Sequence, residues 1–531
     1  MERRIEIRAA SLIFCMAGIV PFQWVFADGL MGGGGLPTAT PCVSPAEKLH
    51  IQDLIHAYQE ANRQSGTERG TMLPRKFPFY PLGGTLYGDV FTVNFNDLDP
   101  TAGILDWDCT DFTYDGHDAT DVDLRSFGEQ LIGVPIFAVL DGTVLVTHDG
   151  EDDMHTSCMG NANFVIIDHG GGRFCYYWHM RRNSVAVTDG QFVRAGQPIG
   201  LVGSIGCSSA PHLHFGTYDN SGTTSTEPYQ GPCQPAESQW IAQTPINRTM
   251  YLRDFNITNV LIENYPGLPF DMPRTGTFVS GVQGVSFWIS LINMPANTTW
   301  RVRYRRPNSS IAFDSGTGDF GGNPFYRESW WWWRYNIDLN ALGTWNILFD
   351  LNGQTLLTAP FTVVASAGQI VNRAPNPITV AFDTSHPRIE DAIFCRVQTS
   401  LTLDEPDYEI VRYHYVWTVN GLEVRNVTTA GHADAIPRFG VCTGDVVVCT
   451  VTPSDGVASG PTTNASMIVE PRAPVPGDMN GDGVLDLGDV PEFVNVLLGL
   501  PGSCESSITA DINSDATVDG RDISPFIEAL L

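Results

Sequence analysis

Five side chains between positions 117 and 214 have the types that a hydrolytic metal centre needs. His117 and Asp121 are separated by three residues. His212 and His214 lie in Ala210-Pro-His-Leu-His-Phe215, and residues two apart in a strand point to the same face, so both imidazoles face one site. His179 sits in Tyr176-Tyr-Trp-His-Met180, another β-like run. Catalytic zinc takes three protein ligands, imidazole and carboxylate among them, and keeps one open position. It polarises a carbonyl and activates water. The remaining histidines can then move protons near neutral pH. Spacing alone does not choose among the 12 histidines of the chain, and His148, His155 and His169 fall in the same region as further candidates. No His-Glu-x-x-His helix is present, which disfavours a thermolysin-like arrangement.

A second constellation lies at the C-terminus. Two loops fit a twelve-position, EF-hand-like calcium pattern. The first offers Asp478, Asn480, Asp482, Asp486 and Asp489, with Val484 giving a backbone carbonyl. The second offers Asp511, Asn513, Asp515, Asp519 and Asp522, with Thr517 at the carbonyl position. Oxygen donors in this number suit a hard cation. An apolar helical pattern follows each loop, ending at Leu498 and Leu531. Ala516 stands where the first loop has Gly483, a difference that bears on the calcium affinity of the second loop.

The elements that position these residues are β-rich. The chain has 531 residues, enough for several domains, and only 17% are charged. Short alternating runs with Gly and Asp-Gly turns dominate residues 80–235, and Asp141-Gly142 reads as a hairpin turn between Val134–Leu140 and Thr143–Thr147. Residues 28–45 read as a flexible Gly/Pro-rich stretch and residues 46–63 as one helix. Residues 250–365 read as a β-sandwich. Within it Trp330–Trp333 alternate faces, and core packing is favoured over a stacking platform for sugars or a partner. Residues 370–470 read as an Ig- or PKD-like sandwich with a spacing or adhesion role. Trp417 lies between Cys395 and Cys449, as in an inter-sheet disulfide, with Cys442 as a competing partner. A stiff Pro-rich linker, 471–477, precedes the calcium loops of 478–531. The fold class is mainly β and multidomain, with a small α-helical C-terminal unit.

The formal net charge of −29 excludes a nucleic-acid partner and repels anionic membrane surfaces. Arg3, Arg4 and Arg8 precede an uncharged stretch ending in Val25-Phe-Ala27, an export signal over residues 1–27 with cleavage expected before Asp28. Pro21 argues against an uncleaved anchor, and no other segment is suited to span a membrane. Removing Cys15 leaves an even number of cysteines in an oxidising compartment, where disulfides are the default. No glycosidase-like carboxylate pair stands out.

Gly203-Ser-Ile-Gly-Cys-Ser-Ser-Ala-Pro-His-Leu-His-Phe215 resembles the lysostaphin/LytM-type zinc endopeptidases. So do Gly116-His-Asp-Ala-Thr-Asp121, Asp141-Gly-Thr-Val144, and Asn163–Gly170 leading into Tyr177-Trp-His179. The resemblance covers roughly residues 110–220 of a peptidase domain placed at 80–245, after an N-terminal extension at 28–79. It implies that His117, Asp121 and His214 are the zinc ligands. His212 would accept a proton from the zinc-activated water, and His179 would stabilise the tetrahedral intermediate and assist proton transfer. The implied reaction is hydrolysis of peptide bonds in peptidoglycan, with specificity in loops 149–162 and 219–235. The family often has Gly where Ala119 stands, a small change unless the backbone there needs positive φ. Cys207 reads as half of a loop disulfide, with Cys158 as its suggested partner, rather than a thiolate ligand. The C-terminal repeat resembles a dockerin, which implies calcium and docking to a cohesin-like receptor or a cell surface. A non-catalytic surface-assembly protein retaining the peptidase fold is the alternative.

Overall fold

The computed structural model describes residues 24–26, 29–35, 43, 45–65, 75–219, 222–389, 391–399, 404–438, 440–471, 475–479, 485–499 and 509–531. The export signal apart from Trp24–Phe26, linker residues 472–474, and Asn480, Asp482 and Val484 lie outside the described residues.

A seven-stranded antiparallel sheet carries the histidines, in the order Phe192–Val193, Gly142–His148, Phe164–Asp168, Phe174–Trp178, His212–Tyr218, Thr120–Asp123 and Phe91–Asn94. Its central strands are apolar on both faces. Val165, Ile167, Cys175, Tyr177, Leu213 and Phe215 enter one core, while Phe164, Ile166, Phe174, Tyr176 and Trp178 enter another. Helix Pro45–Ser65 covers the second face with Ile51 and Ile55, one turn apart. His212 and His214 alternate with Leu213 and Phe215, so they project from the helix-covered face. Asp141-Gly142 is not a hairpin turn. Pro135–Phe137 pairs with Pro198–Leu201 in a separate two-stranded sheet, while Gly142–His148 pairs with Phe164–Asp168. Gly142 instead permits a close approach, because a Cβ there would lie 2.6 Å from the Asp168 carbonyl oxygen.

The next unit packs a five-stranded sheet on a six-stranded one. The Gly-rich stretch is not a flexible tail: Gly29–Gly35 is a strand of the five-stranded sheet, paired with Tyr326–Leu339 directly beside the tryptophans. A Cβ on Gly32 would sit 2.7 Å from Trp332 Nε1, so the indole lies against glycine backbone. Trp331 and Trp333 fill the sandwich core, whereas Trp330 and Trp332 pack outward on Ile262, Leu268, Met272 and Trp288. All four are 6% exposed or less, which removes the stacking-platform reading.

The third unit packs a three-stranded sheet on a four-stranded one with Trp417 buried inside. Cys395 and Cys449 are not joined. They are buried free thiols, and burial together with the neighbouring Cys395 thiol pushes the Cys449 pKa up. Cys442 is itself disulfide-bonded and is no alternative partner for them. Cys175 is a third buried thiol, held in the apolar core. This sandwich is docked rather than held away as a spacer. Phe394 packs on Phe137 with ring centroids 5.4 Å apart, and the His432 backbone N–H donates to Asp89 Oδ2 at 2.8 Å.

At the C-terminus, helices Val490–Leu497 and Ile523–Leu530 join through Phe493 and Phe526, stacked 4.0 Å apart.

Candidate metal centre and active site

Strand pairing assembles the cluster. Asp121 lies opposite His214 on one neighbouring strand and opposite Asn94 on the other. His214 in turn lies opposite Trp178, which sets His179 beside it at the strand end. His117 precedes the Asp121 strand in a loop turned by Gly116 at φ +76°. One ligand atom each from His117, Asp121 and His214 lies within 4.8 Å of the others, and all three residues are buried.

The donor set fits a divalent cation. His117 Nε2 and Asp121 Oδ2 are 3.0 Å apart. Yet His117 Nε2 has no hydrogen-bond partner among the described residues. Distance without alignment is what two ligands aimed at a common centre show. His214 Nδ1 lies 2.9 Å from Asp121 Oδ1. Asp118 Oδ1 stands 3.6 Å from His214 Nε2, and Asp118 is itself held by Lys48 of the N-terminal helix at 2.6 Å and by the Tyr218 hydroxyl at 3.0 Å.

Backbone carbonyls set the tautomers of three rings. His117 Nδ1 meets the Phe95 oxygen at 2.7 Å, His179 Nδ1 the Ile205 oxygen at 2.6 Å, and His212 Nδ1 the Ala210 oxygen at 2.8 Å. A carbonyl only accepts, so Nδ1 carries the proton in each neutral ring and Nε2 carries the lone pair. The His179 and His212 rings are 4.5 Å apart, and His179 Nε2 is buried with no hydrogen-bond partner among the described residues. His179 has φ +61°, an unusual backbone for a non-glycine residue, which turns its ring off the strand end. Gly203 makes room there: a Cβ would lie 2.7 Å from the His179 oxygen and 2.5 Å from the Arg181 nitrogen.

Electrostatics separate the roles. Burial lowers the His117 pKa, but the Asp121 carboxylate outweighs it and holds it above the ordinary value. Burial opposes charge on Asp121, yet His117 and His212 hold it well below the usual carboxylate range. Burial, then the neighbouring His212 and His214, push His179 well down, and burial lowers His212. Both rings are therefore held as proton acceptors.

The other candidates lie elsewhere. His148 pairs with Glu151 at 3.0 Å, His155 faces the Gly206 oxygen at 3.4 Å, and His169 meets the Asp141 oxygen at 2.9 Å. Cys207 is bonded to Cys158, pinning the strand before His212 to Ser157–Met159. A second bridge, Cys109–Cys233, was not anticipated. Ala119 is fully buried and has no positive φ, so its methyl costs nothing in backbone strain. Of the two expected specificity loops, 149–162 is tied down: Asp149 accepts from the Asn183 and Val185 backbone N–H groups, and Asp153 from that of Ser204.

Residues 120–226 match the model for peptidase family M23. The chain carries an M23 peptidase domain. Residues 476–531 match the dockerin type I domain. Similar curated proteins include lysostaphin of Staphylococcus simulans, 36% identical over 96 residues, which are 18% of this chain and 18% of that protein. Peptidoglycan DD-endopeptidase ShyA of Vibrio cholerae is 36% identical over 84 residues, 16% of this chain and 17% of its own length. Murein hydrolase activator EnvC of Escherichia coli is 32% identical over 114 residues, 20% and 27%. The chain thus spans well under a third of the length of these relatives. Among solved structures, the catalytic domain of lysostaphin from S. simulans aligns at 26% identity over 27% of this chain and 90% of that one, with a TM-score of 0.18. The M23 match spans Asp121, His179, His212 and His214, while His117 lies just before it.

In the dockerin domain, Asp489 and Asp522 are fully buried at the starts of their helices. Asp489 Oδ2 accepts the Asp486 N–H at 2.8 Å, and Asp522 Oδ2 the Asp519 N–H at 2.9 Å, the same contact in each repeat. Asp511 Oδ1 accepts the Asp515 N–H at 3.0 Å, and Asn513 Oδ1 accepts it at 2.8 Å, while the Thr517 N–H donates to Asp515. Asp478 is buried at the start of the first loop. Ala516 has φ +66°.

The sequence reading assigns no role to Asn94 or Lys48, and it quotes Asp118 and Gly203 only as members of family motifs. Adjacency to His117 was a usable signal for Asp118. Nothing in the local sequence marks Asn94 or Lys48, which reach the site only through strand register and helix docking.

Proposed function

We propose that this chain is a secreted zinc metalloendopeptidase that hydrolyses peptide bonds in peptidoglycan cross-links. The observation that carries the reading is the buried His117–Asp121–His214 triad with the Nε2 lone pairs of His179 and His212 beside it. Zinc held by the triad supplies Lewis-acid polarisation of a carbonyl and of water. His212 accepts the proton of the attacking water at Nε2 and returns it to the leaving amine nitrogen. Neutral His179 can accept a hydrogen bond from the attacking water at Nε2, and only a protonated His179 can donate one to the tetrahedral oxyanion. The similarity to peptidoglycan DD-endopeptidase ShyA supports both the peptidase reading and a peptidoglycan substrate. The dockerin domain, with calcium in both loops, would dock the enzyme to a cohesin-like receptor or cell-surface scaffold.

One observation favours a second reading. The match to a murein hydrolase activator fits a non-catalytic surface-assembly or binding role for the same domain. Mass spectrometry of peptidoglycan fragments, after digestion with and without a zinc chelator, separates the two. Chelator-sensitive cleavage supports the enzyme. Stoichiometric zinc without cleavage supports the second reading.

A further inference from the structure

We infer that the first β-sandwich is a working part of the metal centre, with Arg327 positioning the Asp121 carboxylate through Asn94. The inference rests on the metal reading of His117, Asp121 and His214. Arg327 lies at the start of the strand that carries the tryptophan run, and it crosses to the peptidase sheet. Its Nη1 donates to Asn94 Oδ1 at 2.9 Å and to the Val93 oxygen at 3.2 Å. Its Nη2 donates to the oxygens of Asp111 and Thr113, and its guanidinium lies over Phe112. Asn94 Nδ2 then donates to Asp121 Oδ2 at 3.0 Å, and both Asn94 and Asp121 are buried.

The chemistry of the three groups leaves one arrangement. Guanidinium only donates and carboxylate only accepts, so the Asn94 amide must turn its oxygen to Arg327 and its NH2 to Asp121. A planar amide fixed at both ends fixes one carboxylate oxygen, the oxygen that stands 3.0 Å from His117 Nε2. Partners of this kind orient ligands and tune metal affinity. Here the orienting cation comes from another domain, more than 200 residues away in sequence.

A second contact acts on the same strand. Arg253 is 3% exposed. It donates to Asp123 Oδ2 at 3.2 Å and to the Leu124 oxygen, while pairing with Glu328 Oε2 at 2.8 Å. Asp123 faces His212 in the strand register. Glu328 follows Arg327 directly, so one strand end holds the Asp121 strand at two points. Burial of the tryptophans on both faces of that strand gives it the rigidity to do so.

The test is the zinc dissociation constant of the full chain, measured by chelator competition, with thermal melting as the folding control. Asn94→Leu and Arg327→Met are each expected to weaken zinc roughly 10–100-fold. Their double variant is expected to be no weaker than Asn94→Leu, because Arg327 acts through the amide. Wild-type affinity in either single variant, or full additivity in the double, overturns the inference. If Arg327→Met does not fold, Arg327→Lys asks the same question, since one ammonium lacks the fork that spans Asn94 and the carbonyls. Unchanged affinity in Arg327→Lys overturns it too. A wild-type chain that binds no zinc overturns the metal reading and this inference together, whereas tight wild-type binding matched by all variants overturns the inference alone.

Discussion

His117 Nε2 faces Asp121 Oδ2 at 3.0 Å without hydrogen-bond alignment, although both side chains are buried. Buried polar atoms are rarely left in this state unless an ion or water completes them. For His117 Nε2 that is the state expected of a ligand in the proposed metal centre, with Asp121 and His214 as the other two.

Removing a ligand and removing a base should separate. His214→Ala is expected to lose stoichiometric zinc and all peptidase activity. His212→Ala should keep most of its metal and lose roughly 10²–10⁴-fold in kcat. Metal analysis beside a cleavage assay reads both, and a His212→Ala protein that loses its zinc would contradict the role assigned to it.

Gly203 has a steric reason to be glycine. Gly203→Ala would press a methyl on the His179 oxygen and the Arg181 nitrogen, and both are backbone atoms that cannot swing away. The expected cost is about 1–3 kcal/mol of stability, together with a drop in kcat as His179 moves off His212. Thermal melting and steady-state kinetics check the pair. Full activity in a stable Gly203→Ala protein would show that the His179 backbone is not critical.

Glu227 should make the fold weaker in alkali. Burial pushes its carboxyl up from 4.5 to about 8, and the Tyr229 N–H that donates to Oε1 at 2.8 Å offsets this only in part. Between those values the folded chain holds a proton that the unfolded chain has released, so stability falls as pH rises through that window. Glu227→Gln keeps an acceptor for Tyr229 and carries no titrating group. It is expected to melt higher than wild type at pH 8 and to show a flatter melting profile from pH 5 to 8. Parallel profiles would refute this.

Ala516 should limit the second calcium loop. Its φ of +66° is costly for any residue with a Cβ. Ala516→Gly relieves roughly 1 kcal/mol and should tighten that loop toward calcium several-fold by calorimetry. An unchanged calcium titration would mean that Ala516 is not what limits the loop.

Much of the site was legible in the sequence because it follows from short-range geometry. The His-x-His pattern placed two imidazoles on one strand face, and strand alternation also separated Trp330 and Trp332 from Trp331 and Trp333. Cys158 and Cys207 lie opposite each other on two paired strands and are joined, as the suggested bridge has it. The errors share a cause as well. Asp141-Gly142 has hairpin composition, but its glycine serves a contact with Asp168 on another strand. The Gly29–Gly35 run has the composition of a loop, but it is a strand because only glycine lets the Trp332 indole lie so close.

What the sequence determined by itself is therefore chemical inventory and local periodicity: the donor types, the face each strand residue takes, and the paired Asp/Asn loops. Register and docking belong to the tertiary structure. Which histidines lie apart from the triad, that Cys395 and Cys449 remain thiols, and that Arg327 reaches Asn94 across a domain boundary all depend on contacts between distant segments. Such contacts leave no periodic trace, because packing and charge pairing select them only after the strands have formed.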